Sequence, residues 1–331
     1  MKMGEEMDTF CSRTAAILFC LFSIAPALIG SAAQAQSGFP TKPVTFIVPV
    51  PAGGTTDLAC RLMCKETEKS LRQPIVVVNK PGGSFTVGIA AIASAKPDGY
   101  TIGYAGHPGL FVPPLTEKVP YHPVNDLREI MQFGVVNLGV IVKGDSPFKN
   151  FKDIIAYARA NPKKLTYGST GLGTLGHLAM EQVARKENVQ FTHIPFKGSP
   201  ETQTALLGGH VLVGIGEFNY SLVESGDLRL ILLIAQVPSP EYSNVPILTD
   251  LGYGVPTPTF LNIAGPKGIP DEIVKKLDDA FSKGMKEPGF IKGMKELRLT
   301  IVYKNGNDLQ NYIASTFDSF AKLLKEEGLI K

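Results

Sequence analysis

From residue 44 onward, apolar residues fall into two alternating rhythms. Residues 44–50 are nearly all apolar and mostly β-branched, which predicts a parallel strand buried on both faces. A Pro-Ala-Gly-Gly turn follows and leads through Asp57 into a helical pattern. Residues 75–78 predict a strand, 87–95 a helix rich in Ala and Ile, and 101–105 another strand, so the order is βαβ. Sheets of this kind place ligands beyond the carboxyl ends of their strands, here at loops 51–56 and 106–109.

A Pro-rich connection over 108–123 leads to an apolar run, 135–142, that is predicted to cross between domains. A second unit follows, with helices at 153–159 and 177–186 and strands at 165–168 and 191–195. Ser199 and Pro200 supply an N-cap and N1 proline for a helix ending at Leu207, stopped by Gly208 and Gly209. Strands at 211–215 and 228–235 complete this layer, and 260–264 is predicted to cross back. Helices at 270–285, near Phe290, and at 307–327 close the chain. In the last, Leu309, Ile313, Phe317, Phe320 and Leu324 form one stripe at helical spacing, a core face. Two α/β units joined by two crossings imply a discontinuous first domain: lobe 1 at 36–140 and 260–331, lobe 2 at 141–259, with a cleft between them. Such hinges favour closure around a ligand.

Residues 1–35 stand apart. An apolar core at 14–29 ends in small residues, and Ala33-Gln34-Ala35 is an A-x-A cleavage site, so the segment reads as a secretory signal. Lys2 and Arg13 are outnumbered by Glu5, Glu6 and Asp8, which points to a start at a later methionine such as Met7. An uncleaved anchor is the rival reading, weakened by Pro26 and Gly30. About 295 residues remain, enough for two α/β domains. The net charge of +3 is spread without a basic block, which argues against a nucleic-acid partner. Cys60 and Cys64, four apart on one predicted helix, have nearly parallel Cβ vectors that suit a disulfide poorly; they read as buried thiols, and no other Cys or His pair completes a metal site.

The candidate chemistry lies in two glycine loops. At Ala52, Gly53, Gly54, Thr55 and Thr56, glycines let backbone approach a ligand while the next helix offers unpaired N–H groups, a cradle suited to a carboxylate. A plain tight turn is the competing reading. Gly171 to Gly176 matches G-x-G-x-x-G after a strand and before a helix, yet the strand that should end in an acid for ribose hydroxyls carries none. What survives is a second helix N-terminus with Gly171 and Gly173, flanked by the hydroxyls of Ser169, Thr170 and Thr174. The G-x-S-x-G elbow, H-E-x-x-H and the P-loop are absent. Five histidines, at 107, 122, 177, 193 and 210, leave a scattered triad open.

Five motifs occur in order: PAGGTTD after a strand, PDGYT at 97–101, PYHPVNDL at 120–127, YGSTGLGTLGHL at 167–178 and PFKGSPETQTALLGGHV at 195–211. Together they resemble the solute receptors of tripartite tricarboxylate transporters, the Bug-type proteins, over nearly the whole mature chain. The resemblance implies a two-lobed type II periplasmic binding protein: two doubly wound α/β domains joined by a two-strand hinge. Such a protein holds an organic carboxylate in the cleft and delivers it to membrane permease subunits. It implies a monomer in the periplasm, with no catalysis, cofactor or metal. A ligand sensor for a signalling system, or an exported hydrolase, is the alternative.

By the family pattern, residues 52–56 with Asp57 and residues 169–176 bind carboxylate through backbone N–H groups and bridging waters. Asp57 beside an anion reads as a cap or water holder before a direct contact. His177 opens a helix where its ring either reaches the cleft or packs. The chain departs from the family at Leu212, where an acid is usual, in having no Trp, and at 216–220, where Glu217, Asn219 and Tyr220 replace an Asp-containing version. His107, Lys197, Asn219, Tyr220 and Phe260 are the candidates that choose the ligand, each also readable as loop packing or solvated surface.

Overall fold

Two sheets carry the molecule. In the computed structural model, which describes residues 38–172, 174–235, 237–253, 259–326, 328 and 330, the first sheet has strand order β11-β4-β10-β3-β1-β2. Its parallel part is β1 (Val44–Val48), β2 (Ile75–Asn79) and β3 (Thr101–Gly103). Antiparallel β10 (Phe260–Pro266) then pairs with β3 and with β4 (Leu127–Val135), and β11 (Lys304–Asn305) adds to β4. The second sheet has the order β7-β6-β8-β5-β9. In it β6 (Leu165–Ser169) runs parallel to β7 (Phe191–Pro195) and β8 (Val213–Gly216), whereas β5 (Leu138–Lys143) is antiparallel to β8 and β9 (Leu228–Ile234). By contacts the chain divides into Met1–Thr41 and Lys42–Lys331, and both sheets lie in the second part. The expected signal segment lies outside the described residues. Among the described residues, no helix is long and apolar enough to cross a membrane.

The two-strand hinge is visible in the hydrogen bonds. Only Val136 and Asn137 separate β4 of the first sheet from β5 of the second. On the return path Val136 N–H donates to Thr259 O at 2.7 Å, and Phe260 pairs with Val135. The expected single crossing run at 135–142 is therefore two strand ends and a two-residue joint. Strand β4 is absent from the sequence reading because Arg128, Glu129 and Gln132 interrupt its apolar run. Glu129 and Gln132 are nevertheless buried, and the Asn262 amide donates to Glu129 Oε2 at 2.6 Å.

The helices follow the apolar pattern. Helix α1 (Thr55–Leu71) buries Ala59, Cys60, Met63 and Cys64 against the first sheet, which makes both cysteines interior free thiols. Then come α2 (Thr86–Ala93), α3 (Pro113–Thr116) and α4 (Phe151–Ala160); α4 opens with a capping box in which Asp153 N–H donates to the Asn150 side chain. Helices α5 (Leu175–Glu187) and α6 (Ser199–Leu207) flank the second sheet. Helix α6 has Gly198 at its N-cap, one residue before the expected Ser199, and ends at Gly208 as expected. Short α7 (Tyr220–Glu224) is capped by Asn219. Helices α8 (Asp271–Gly284) and α9 (Pro288–Glu296) return to the first sheet, where Phe281 meets Phe46 at 6.3 Å between ring centroids. Burying each such ring contributes about 1.5–3 kcal/mol.

The last helix, α10 (Gly306–Glu326), buries Leu309, Ile313, Phe320 and Leu324 of the expected stripe, with Phe317 half-buried. These residues join one apolar cluster with Phe111 and Tyr121 beside the first sheet and Leu178 and Val183 of α5 beside the second. At its end Glu326 pairs with Arg185 of α5 at 3.1 Å. The C-terminal helix thus packs beside elements of both sheets.

Candidate functional site

The carboxyl ends of β1, β2, β3, β6 and β8 converge on one cavity of about 320 Å³. Thr56, Ser84, Phe85, Tyr104 and His107 line it from the first sheet's side; Thr170, Thr174, Ser199 and Glu217 line it from the second. Val136, Leu138 and Thr259 of the hinge form its back. A second cavity, lined by Thr55, Asn219, Tyr220 and Arg298 among others, shares Val136, Ser199 and Glu217 with the first. First-turn residues of α1, α5 and α6 therefore all face the cleft, and three helix N-termini favour negative charge there. Among the described residues, no Lys or Arg lines the first cavity. The Thr259 hydroxyl, on a residue only 7% exposed, has no hydrogen-bond partner among the described residues. Nor has His107 Nε2. Burial moves the His107 pKa down to about 4, so its imidazole is neutral.

In the first loop Gly53, at φ +90°, turns the chain and Gly54 is the extended N-cap of α1. A Cβ at either would meet nothing within 4 Å, so both face open space with Ala52. Asp57 lies beneath them, fully buried. It accepts from Gly53 N at 2.8 Å, Arg61 Nε at 2.9 Å and Asn79 Nδ2 at 2.8 Å. Burial pushes its pKa up, but the Arg61, Gly53 and Asn79 donors outweigh that and hold it below the usual carboxylate value. Arg61 also donates to Asn79 Oδ1 at 2.6 Å, so its charge is committed to this network.

In the second loop Gly171 takes φ +132° and Gly173 lies outside the described residues. The Thr174 hydroxyl donates to Gly171 O at 2.8 Å while the residue faces the cavity. Ser169 is buried behind the loop, with Oγ 2.7 Å from His193 Nε2 and accepting from Gly171 N at 3.3 Å. His193 stacks on Tyr167 at 4.8 Å and lies 4.3 Å from the His177 ring. Burial lowers both histidines, His193 to about 4 with the neighbouring His177 adding to the effect. His177 therefore packs behind the loop and does not line the cavity.

The remaining candidates scatter. Asn219 accepts from Ser221 N and Leu222 N as a helix cap, while lining the second cavity. Tyr220 donates to Arg298 O at 3.2 Å, and its ring carries the Arg298 guanidinium at 4.8 Å. Arg298 also pairs with Glu224, so this cluster clasps the segment before β11 to α7 across the cleft. Lys197 is exposed and lines neither cavity. Phe260 is buried at the hinge against Phe111 and Tyr312.

Sequence reasoning passed over Ser84, Phe85, Tyr104, Ser199, Glu217 and Thr259 as site residues. Ser84 and Phe85 sit at φ +51° and +80°, a left-handed pair that costs energy and holds a loop against the cavity. The signal for them was Pro81-Gly82-Gly83 just past the carboxyl end of β2, the same edge that marked the other loops.

Residues 59–329 match the family described as "Tripartite tricarboxylate transporter family receptor". The chain belongs to that receptor family. A Cupriavidus necator member, the UPF0065 protein in the gbd 5' region, is 38% identical over 301 residues, covering 90% of this chain and 92% of its own. A TctC solute-binding protein from Polaromonas superposes with TM-score 0.79 at 27% identity, covering 87% of this chain and 100% of its own. An R. palustris receptor solved with adipate gives TM-score 0.69 at 26% identity, covering 88% and 99%. Members of this family are periplasmic solute-binding receptors, and the two-lobed fold is theirs.

Proposed function

We propose that this receptor binds a small organic carboxylate between its lobes in the periplasm and delivers it to the membrane subunits of a tripartite transporter. The observation that carries the reading is the first cleft cavity, where first turns of α1, α5 and α6 meet hydroxyls and, among the described residues, neither a Lys or Arg side chain nor a partner for the Thr259 hydroxyl. Such a site receives an anion through N–H and O–H donors, and the adipate-bound relative supports the ligand class. Residues 52–57 of one lobe and 169–176 of the other are the proposed binders, with Asp57 and Ser169 holding the loops from behind. The lobes divide at 36–140 with 260–331 and at 141–259, residues 1–35 direct export, and the protein works as a monomer without catalysis.

The test is a thermal-shift screen of the purified protein against mono-, di- and tricarboxylates, with nucleotides as controls. A ligand at a hundred times its dissociation constant stabilises by about 2.7 kcal/mol. A shift with acids supports the receptor reading; a shift with nucleotides alone overturns it.

A further inference from the structure

Among the described residues, Glu217 is the one carboxylate that lines both cavities, and in the second it stands with Glu296 and Arg298. It follows β8 and lines the first cavity together with Tyr104 from the first sheet's side. Its side chain is exposed into the cleft and accepts no hydrogen bond from the described residues; desolvation alone raises its pKa. The groups whose fields it meets are the hydroxyls of Tyr104 and Tyr220. Arg298, the cation of the second cavity, is bound to Glu224, Tyr242 and the Tyr220 ring. His107 is neutral, and among the described residues no Lys or Arg lines the first cavity. The cleft therefore offers donors from its helix N-termini and hydroxyls, one bare acceptor carboxylate, and no free positive charge.

We propose that Glu217 sets the ligand class: the bound acid presents a hydrogen-bond donor to it, ammonium before hydroxyl, and an acid with a second carboxylate at that position is rejected. The inference rests on the carboxylate-receptor reading above. A donor on the ligand satisfies an acceptor that no protein group satisfies, whereas a second carboxylate meets like charge with no cation to offset it. Specificity then comes as much from rejection as from attraction. Three helix N-termini accept any carboxylate; Glu217 decides what else the molecule carries.

The experiment is calorimetric titration of the protein and its Glu217→Gln variant with straight-chain acids of three to six carbons. Each length is offered as the simple acid, the amino acid with its amine at the second or last carbon, the hydroxy acid and the diacid. Glu217 makes no side-chain bond, so the unliganded variant should melt as the parent does. In the parent an amino acid binds at least about tenfold more tightly than the diacid of equal length. In the variant that ratio falls by about tenfold or inverts. A parent that prefers diacids, or a ranking unchanged by the substitution, overturns the role of Glu217 while leaving the receptor reading intact. No binding by any acid to either protein overturns the receptor reading and this inference together.

Discussion

The two glycine loops face the same cleft and are held from behind by opposite chemistry. The first rests on charge: ionised Asp57 gathers Gly53 N–H, Arg61 and Asn79, and the neighbouring loop at 104–108 hangs on Ala105 N–H, which donates to Asn262 and through it reaches buried Glu129. The second rests on neutral rings, with Ser169 against His193 and His193 between Tyr167 and His177. A backbone cradle needs only that its N–H groups point at the ligand, so either support suffices. The supports differ in what disturbs them: acid weakens both Asp57 and His193, whereas buried Glu129 behind the neighbouring loop holds a proton in the folded state and is disturbed by base.

The largest effect is expected from Glu129. Burial raises its pKa to about 8, with the Asn262 hydrogen bond opposing part of the shift. The folded state therefore holds a proton that the unfolded chain releases near its ordinary value. Stability is full below about pH 4.5 and declines as pH rises toward 8, by up to about 1.4 kcal/mol per pH unit. Denaturation of Glu129→Gln across that range should lose this slope; an unchanged slope breaks the lobe 1 half of the comparison.

Asp57→Ala comes next. It leaves Gly53 N–H without its acceptor, the Asn79 amide with Val50 O alone and Arg61 without its anion, at a cost of about 2–3 kcal/mol. Urea melts should show that loss, and affinity for whichever acid the screen identifies should fall with it. Asp57→Asn, which keeps an acceptor oxygen, should recover part of both. Unaltered stability in the Ala variant would mean the loop does not depend on this network.

His193→Phe should cost about 1–2 kcal/mol, because buried Ser169 keeps only its contacts to Gly171 while the stacking survives. Its pH signature runs opposite to that of Glu129. A histidine whose pKa is lowered on folding contributes stability above pH 6.5 that is lost as pH falls through about 4. The phenylalanine variant should flatten that acid limb in melts taken between pH 4 and 6.5. The smallest effect is expected from Glu224→Ala at the Arg298 clasp. Glu224 lies in solvent, so its loss should shift the urea midpoint less than any of the other substitutions and should fade in high salt.

Much of this arrangement was legible in the residues. The β-branched run at 44–50, the glycine turns and the carboxyl-edge rule located both loops, because apolar periodicity and helix N-termini are local properties of the chain. Asp57 was readable as a support, since an acid in the first helical turn reaches back to the N–H groups before it. Other features depend on partners distant in sequence. Strand β4 was hidden because Glu129 and Gln132 look exposed until the sheet closes over them. Thr259, Tyr104 and Glu217 gain meaning only when the hinge brings strand ends together. Tyr220 and Asn219 sit by the cleft as expected, yet their hydrogen bonds serve the clasp and the α7 cap.

The central claim is that one carboxylate ligand is held by both loops at once. A crystal structure of the protein with an acid taken from the thermal-shift screen tests it directly. The account predicts the carboxylate inside the cavity between the lobes, within hydrogen-bond reach of groups from residues 54–57 and from residues 170–175. Density for the acid on one lobe alone, or outside that cavity, would contradict it.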